Sequence, residues 1–110
     1  MKGKADKYIV VFVTAKDLEE ANKIAEGLVA RKLVACANII EGIRSVFWWE
    51  GKIDSAKEVL LILKSQEKLF AKIINTVKSL HSYKVPEIIA LPIVAGNQDY
   101  LKWIDGSVAK

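Results

Sequence analysis

Ile43-Arg44-Ser45-Val46-Phe47-Trp48-Trp49-Glu50-Gly51-Lys52-Ile53 lies at the centre of residues 34–64, and its reading decides the fold. Val34-Ala35-Cys36-Ala37-Asn38-Ile39-Ile40 precedes it, and Val59-Leu60-Leu61-Ile62-Leu63 follows. Both arms are rich in β-branched and aromatic residues, which suit a pleated surface. Gly51 supplies the positive φ of a tight reversal, and Gly42 interrupts the first arm where a bulge would bend it. The stretch predicts one antiparallel hairpin with arms of about 12–16 residues, roughly 40–50 Å at about 3.3 Å per residue. A compact chain of this size has a radius of gyration of about 13 Å, so the hairpin must project beyond its own core. A projecting edge that carries Trp48 and Trp49 invites association unless another chain covers it. The two indoles are therefore expected at an oligomer interface, on opposite faces of their strand.

Working outward, residues 8–14 form a short apolar, β-branched run that predicts a first strand. Asp17 stands three residues before Glu20, as in a capping box, and Leu18, Ala21, Ile24, Ala25, Leu28 and Val29 recur at helical spacing to about Lys32. Beyond the hairpin, Ser65 is placed to cap a second helix with the stripe Leu69, Phe70, Ile73, Ile74, Val77 and Leu80, ending near His81. Pro86 forces Val85 into extended geometry, residues 88–91 make a fourth strand, and Pro92 suits a strand end. Residues 97–104 read as a short last helix stopped by Gly106, and residues 1–7 as a flexible polar lead-in.

The order β-α-β-β-α-β predicts an α+β, ferredoxin-like domain over residues 1–110, with both helices on one face of an antiparallel sheet. A solvated second face would alternate apolar with polar residues. Residues 9–13, 59–63 and 88–91 are instead apolar on both faces, which predicts that another subunit lies there.

Composition narrows the function. With 110 residues, 52% hydrophobic and 27% charged, the chain has the balance of one globular domain. Its net charge of +4 comes from scattered lysines rather than a basic run, so no nucleic-acid partner is expected. The aliphatic first and third strands, Phe12 aside, also lack the exposed aromatics of an RNA-binding sheet. No apolar stretch has the length of a membrane span. The single cysteine, Cys36, has no internal disulfide partner and fits a reducing cytoplasm, where it packs as a small hydrophobe in its strand. There is no Gly-rich phosphate loop, no HExxH or CxxC, and only one histidine. No catalytic constellation is therefore expected.

Five motifs in register, Ala35-Cys36-Ala37-Asn38, Trp48-Trp49-Glu50-Gly51-Lys52, Leu63-Lys64, His81-Ser82-Tyr83-Lys84-Val85-Pro86-Glu87 and Tyr100-Leu101-Lys102-Trp103, resemble the CutA (divalent-cation tolerance) family. The resemblance implies a tight homotrimer linked to tolerance of divalent metals, copper above all, with no defined reaction. It also implies copper ligands at the positions of Val13, Leu80 and His81, of which only His81 carries a donor. One imidazole does not make a metal site, since several donors must converge in a fixed geometry.

Lys64 closes the apolar run of the third strand and Glu87 precedes that of the fourth, so each marks a rim of the sheet. With Tyr83 and Trp103 they are expected to line an inter-subunit cleft that holds a small ligand or a divalent ion. The resulting expectation is a regulatory or adaptor trimer. A small enzyme using the same cleft, or a structural scaffold for a partner protein, are the alternatives.

Overall fold

β-Branched and apolar runs pair around a central strand. The computed structural model describes residues 7–110. Its elements are β1 (Tyr8–Ala15), α1 (Leu18–Ala30), β2 (Cys36–Trp49), β3 (Lys52–Gln66), α2 (Phe70–Leu80), β4 (Ile88–Pro92) and α3 (Gln98–Ser107). The strands form one antiparallel sheet in the order β2-β3-β1-β4. This is the expected ferredoxin-like arrangement with α3 appended. Apart from Lys7, the lead-in expected to be flexible lies outside the described residues. Among the described residues no helix is long and apolar enough to cross a membrane.

The hairpin closes at the pair Trp49↔Lys52, with Glu50 at φ 51° and Gly51 at φ 79°. Two successive left-handed residues match the twist of the flanking strands, as in a type I′ turn. At the other end of the arm the register shifts between Ile40 and Ile43, where Gly42 has φ 85°. Glu41 and Gly42 there oppose Val59 alone, so the expected bulge is present. The molecule is 43 Å long, and past the bulge Val46, Phe47, Trp48, Trp49 and Ile53 are all exposed. Trp48 is 72% and Trp49 53% exposed, so neither indole is buried by its own chain. Glu50 occupies a conformation that favours glycine or asparagine. Glu50→Asn is expected to stabilise the chain by roughly 1 kcal/mol, read as a higher midpoint in urea; an unchanged or lower midpoint would contradict the turn assignment.

Strand alternation sets the two faces. Ile9, Val11 and Val13 of β1 and Val59, Leu61, Leu63 and Ser65 of β3 are buried. They share one core with Ala21, Ile24, Ala25 and Leu28 of α1 and Ile73 and Val77 of α2. On the opposite face lie Val10 and Phe12, then Leu60, Ile62 and Lys64, then Ile89 and Leu91, and Ile40 on β2. α1 and α2 pack on the other face, and α3 meets this one at its Tyr8 and Gln66 end, through Asp105. Ile40, Ile89 and Leu91 are exposed, and Val10, Phe12, Leu60 and Ile62 only partly buried.

Two helix ends differ from expectation. Ser65 does not cap α2: it remains in β3, where its buried hydroxyl donates to the Leu33 carbonyl at 2.6 Å. The chain enters α2 through a short 3₁₀ turn, Glu67–Leu69, without a side-chain cap. Gly106 does not stop α3 either. The helix continues through it to Ser107, where Val108 N–H closes on the Ile104 carbonyl at 3.2 Å. The strand ladder and the burial of Ile104 outweigh the local signals of a serine and a glycine.

Candidate functional site

The segment between α2 and β4, residues 81–87, has no regular structure and is held by side chains. α1 begins at Asp17, whose Oδ1 accepts from Glu20 N–H at 2.9 Å, the first half of a capping box. The second half departs from the usual pattern. Glu20 Oε1 accepts from Lys16 N–H at 3.0 Å, and Oε2 accepts from Ser82 N–H at 2.7 Å, which ties the start of α1 to the segment after α2. The His81 side chain is wholly buried. Its Nε2 lies 2.7 Å from the Thr14 carbonyl, and its Nδ1 accepts from Tyr83 N–H at 3.0 Å. The Tyr83 amide can only donate, so Nδ1 offers its lone pair and Nε2 carries the proton given to Thr14. The Tyr83 ring lies against His81, with centroids 4.7 Å apart, and its hydroxyl donates to the buried Glu58 at 2.7 Å. Glu87 is exposed at the far end of this segment, one residue before β4.

Glu20 is buried, which by itself opposes ionisation. The hydrogen bonds from Lys16 and Ser82, with His81 beside it, outweigh that cost and hold its carboxyl below the usual range. Tyr83 moves the other way. Burial first, then the hydrogen bond and charge of Glu58, then the charges of Glu20 and Asp17, push its phenol far above the ordinary value.

A second cluster occupies the opposite end of the sheet. Lys64 pairs across the strands with Val10 and Cys36, and its ammonium meets Asn38 Oδ1 and lies 4.0 Å from Cys36 Sγ. Tyr100 of α3 is in reach of Cys36, and burial together with that thiol raises its phenol. Trp103, half-exposed, packs against Tyr100 with the rings tilted by 35° and their centroids 5.4 Å apart. Asp105 fastens α3 by accepting from Tyr8 Oη at 2.8 Å and Gln66 Nε2 at 2.6 Å. Lys64 and Glu58, the anchor of Tyr83, are both on β3 but about 20 Å apart along it, at roughly 3.3 Å per residue. One chain thus places Lys64 and Trp103 at one end and Tyr83 and Glu87 at the other. A surface hollow of about 550 Å³ lined by Lys7, Gln66, Lys68 and Asp105 contains none of the four.

The chain has relatives in sequence and in fold. The sequence profile described as CutA1 divalent ion tolerance protein matches residues 9–107. The chain belongs to this family. It is 47% identical over 98 residues to the "Divalent-cation tolerance protein CutA" of Archaeoglobus fulgidus, covering 89% of this chain and 95% of that one. It is 48% identical over 99 residues to "Protein CutA 1, chloroplastic" of Oryza sativa subsp. japonica, covering 90% of this chain but only 56% of that relative's length. The crystal structure of CutA1 from Oryza sativa superposes with a TM-score of 0.93 at 44% identity, over 96% of this chain and 97% of that one. The divalent cation tolerance protein from Thermus thermophilus gives 0.91 at 41% identity, over 93% and 99%.

The copper ligands implied by the CutA resemblance do not fit this CutA-family chain. Val13 is an aliphatic residue of the core, Leu80 has no donor atom, and both ring nitrogens of His81 are engaged with backbone groups. Among the described residues no three His, Cys, Asp or Glu side chains group as a metal site needs.

The sequence reading missed Glu20, Glu58 and Asp105. Glu20 had a signal, because it stands four residues before Ile24 and eight before Leu28, on the buried stripe of α1. Glu58 had none, since its partner, Tyr83, is brought to it only by the fold. The phenols of Tyr8, Tyr83 and Tyr100 all lie above their ordinary value of 10.0. Each therefore stabilises the fold below that value, and the contribution is lost as pH rises through the native values. An alkaline titration followed by phenolate absorbance is expected to show no native tyrosine ionising at or below its ordinary value; one that did would contradict these environments.

Proposed function

We propose that this chain serves divalent-cation tolerance as a homotrimeric regulatory or adaptor protein, with a small-ligand cleft formed where two copies meet. The uncovered apolar sheet face carries this reading: Val10, Phe12, Leu60, Ile62, Ile89 and Leu91 form a continuous row, and the exposed tryptophans of the hairpin extend past it. A face of that size on one chain favours a self-complementary partner. Packing copies over it is the way for Lys64 and Trp103 of one chain to meet Tyr83 and Glu87 of the next. Lys64 would take a carboxylate or phosphate oxygen of the ligand, Glu87 a cationic or hydroxyl group, and the two aromatics its flat or apolar part. A reducing compartment such as the cytoplasm suits the single thiol, Cys36.

Sedimentation equilibrium at micromolar concentration is expected to give the mass of three chains; a monomer would overturn the reading. Trp49→Ala is expected to weaken assembly by about 2 kcal/mol or more if the indole is an interface anchor. Native mass spectrometry of protein taken from its own host then tests the cleft separately. A trimer that carries a co-purifying small molecule, lost in Lys64→Ala or Glu87→Ala, supports it, whereas a trimer unaffected by both substitutions removes the cleft and leaves the assembly standing.

A further inference from the structure

The end of the sheet where β1 begins and β3 finishes carries polar groups that the proposed cleft leaves unused. Tyr8 and Gln66 are paired there, and the chain leaving β3 bends into the 3₁₀ turn Glu67–Leu69, with Glu67 N–H donating to the Lys7 carbonyl at 2.9 Å. The end of α3 supplies the remaining wall. Asp105 accepts from Tyr8 and Gln66, and just beyond the helix Ala109 N–H donates to the Lys32 carbonyl at 2.8 Å. The hollow of about 550 Å³ between these segments is therefore shaped before anything enters it, and its volume lies in the range of small-molecule sites.

Its lining holds an acceptor that the chain leaves open. Gln66 is only 6% exposed, and its Nε2 donates to Asp105 Oδ1 at 2.6 Å. That orientation of the amide is fixed, because a carboxylate that takes the Tyr8 hydroxyl and faces the Lys7 ammonium can only accept. The other branch of the amide is the oxygen, and among the described residues no group donates to it. No fully enclosed side-chain oxygen or nitrogen of the described residues lacks a partner, so Oε1 is not sealed in and opens onto the hollow that Gln66 lines. An occupant that covered this oxygen without donating to it would lose free energy, so the occupant must carry a donor. The exposed carboxylate of Glu67, the next residue along, is a second acceptor on the same lining.

Cations complete the set. Lys7 is engaged with Asp105 at 3.4 Å, whereas the ammonium groups of Lys68 and Lys110 pair with no carboxylate among the described residues. Lysines placed in this way bind phosphate as point charges. They also decide the kind of donor. An ammonium on the ligand would sit among three lysines and be repelled, so neutral hydroxyls suit the two acceptors better. We infer that the hollow binds a sugar phosphate, with its hydroxyls on Gln66 Oε1 and Glu67 and its phosphate on Lys68 and Lys110. The site lies within one chain and shares no residue with the proposed cleft, so either can fail without the other.

The test is calorimetric titration of ribose 5-phosphate into the full chain at low ionic strength, with the NMR signal of the Gln66 side-chain amide as a local reporter. A Kd of about 1 mM or tighter is expected, at least about tenfold tighter than for inorganic phosphate or ribose alone, together with a shift of the Gln66 signal on binding. Lys68→Glu, at an exposed position, should weaken binding by about tenfold or more, whereas Lys23→Glu, exposed on α1 and outside the hollow, should leave it unchanged. Glu67→Ala should shrink the preference for ribose 5-phosphate over inorganic phosphate, because it removes a hydroxyl acceptor and leaves the lysines in place. No binding at millimolar concentration overturns the site. So does equal affinity for inorganic phosphate, which would show attraction by charge alone, and so does binding that Lys68→Glu leaves intact, which would place the ligand elsewhere.

Discussion

Replacing Glu20 by alanine is expected to lower the unfolding free energy by about 2 kcal/mol or more. Two part-buried backbone donors, Lys16 N–H and Ser82 N–H, lose their acceptor, and each orphaned group costs about 1–3 kcal/mol, toward the low end where water reaches it. Urea unfolding measures the loss, and Glu20→Gln, which keeps an acceptor, should lose less than half as much. A drop below about 1 kcal/mol in the alanine variant would mean that water replaces the carboxylate at both amides. The acid limb of stability carries a second signature. Because the native carboxyl lies below its ordinary value, its contribution is present above the ordinary carboxylate range and is lost as pH falls through the native value. The alanine variant should therefore show a shallower loss of stability in acid than the parent.

Leu61→Ala and Ile62→Ala, neighbours on β3, should differ in kind. Leu61 is fully buried between the sheet and the helices, so its truncation leaves a cavity and costs about 2–5 kcal/mol at any protein concentration. Ile62 faces the uncovered side and is only partly buried within its own chain. Its truncation should cost little in a dilute monomer and progressively more as the chains assemble, because assembly links stability to concentration. Denaturation at two concentrations separates the two. Equal and concentration-independent losses would argue that nothing packs on the open face.

The sequence disclosed most of the fold because the decisive features are local. The turn at Glu50-Gly51, the bulge at Gly42, the Asp17 cap and the apolar stripes of α1 and α2 each depend on residues a few positions apart. Ser65 and Gly106 misled for the complementary reason. A serine before a helix and a glycine near a helix end are local signals, but Leu33, distant in sequence, and the burial of Ile104 in the core settled what they do. The candidate site was legible only in part. Lys64 and Glu87 stand out at the ends of apolar runs, with Tyr83 and Trp103 near them in the inferred fold, whereas the partners that hold Tyr83 arrive from α1 and β3 and leave no spacing to read.

The turn and the bulge also settle a matter that polarity cannot. In most half-buried strands a slip of one residue would drive polar side chains into the core, and this penalty selects the pairing. Residues 59–63 of β3 are apolar at every position, so a shifted ladder against β2 would bury almost as much hydrocarbon as the native one. The left-handed pair at one end and Gly42 at the other fix how many residues lie between two points of the arm. Alternative alignments of the two strands are thus excluded by backbone stereochemistry at three residues, and both faces of the sheet are left free to be greasy.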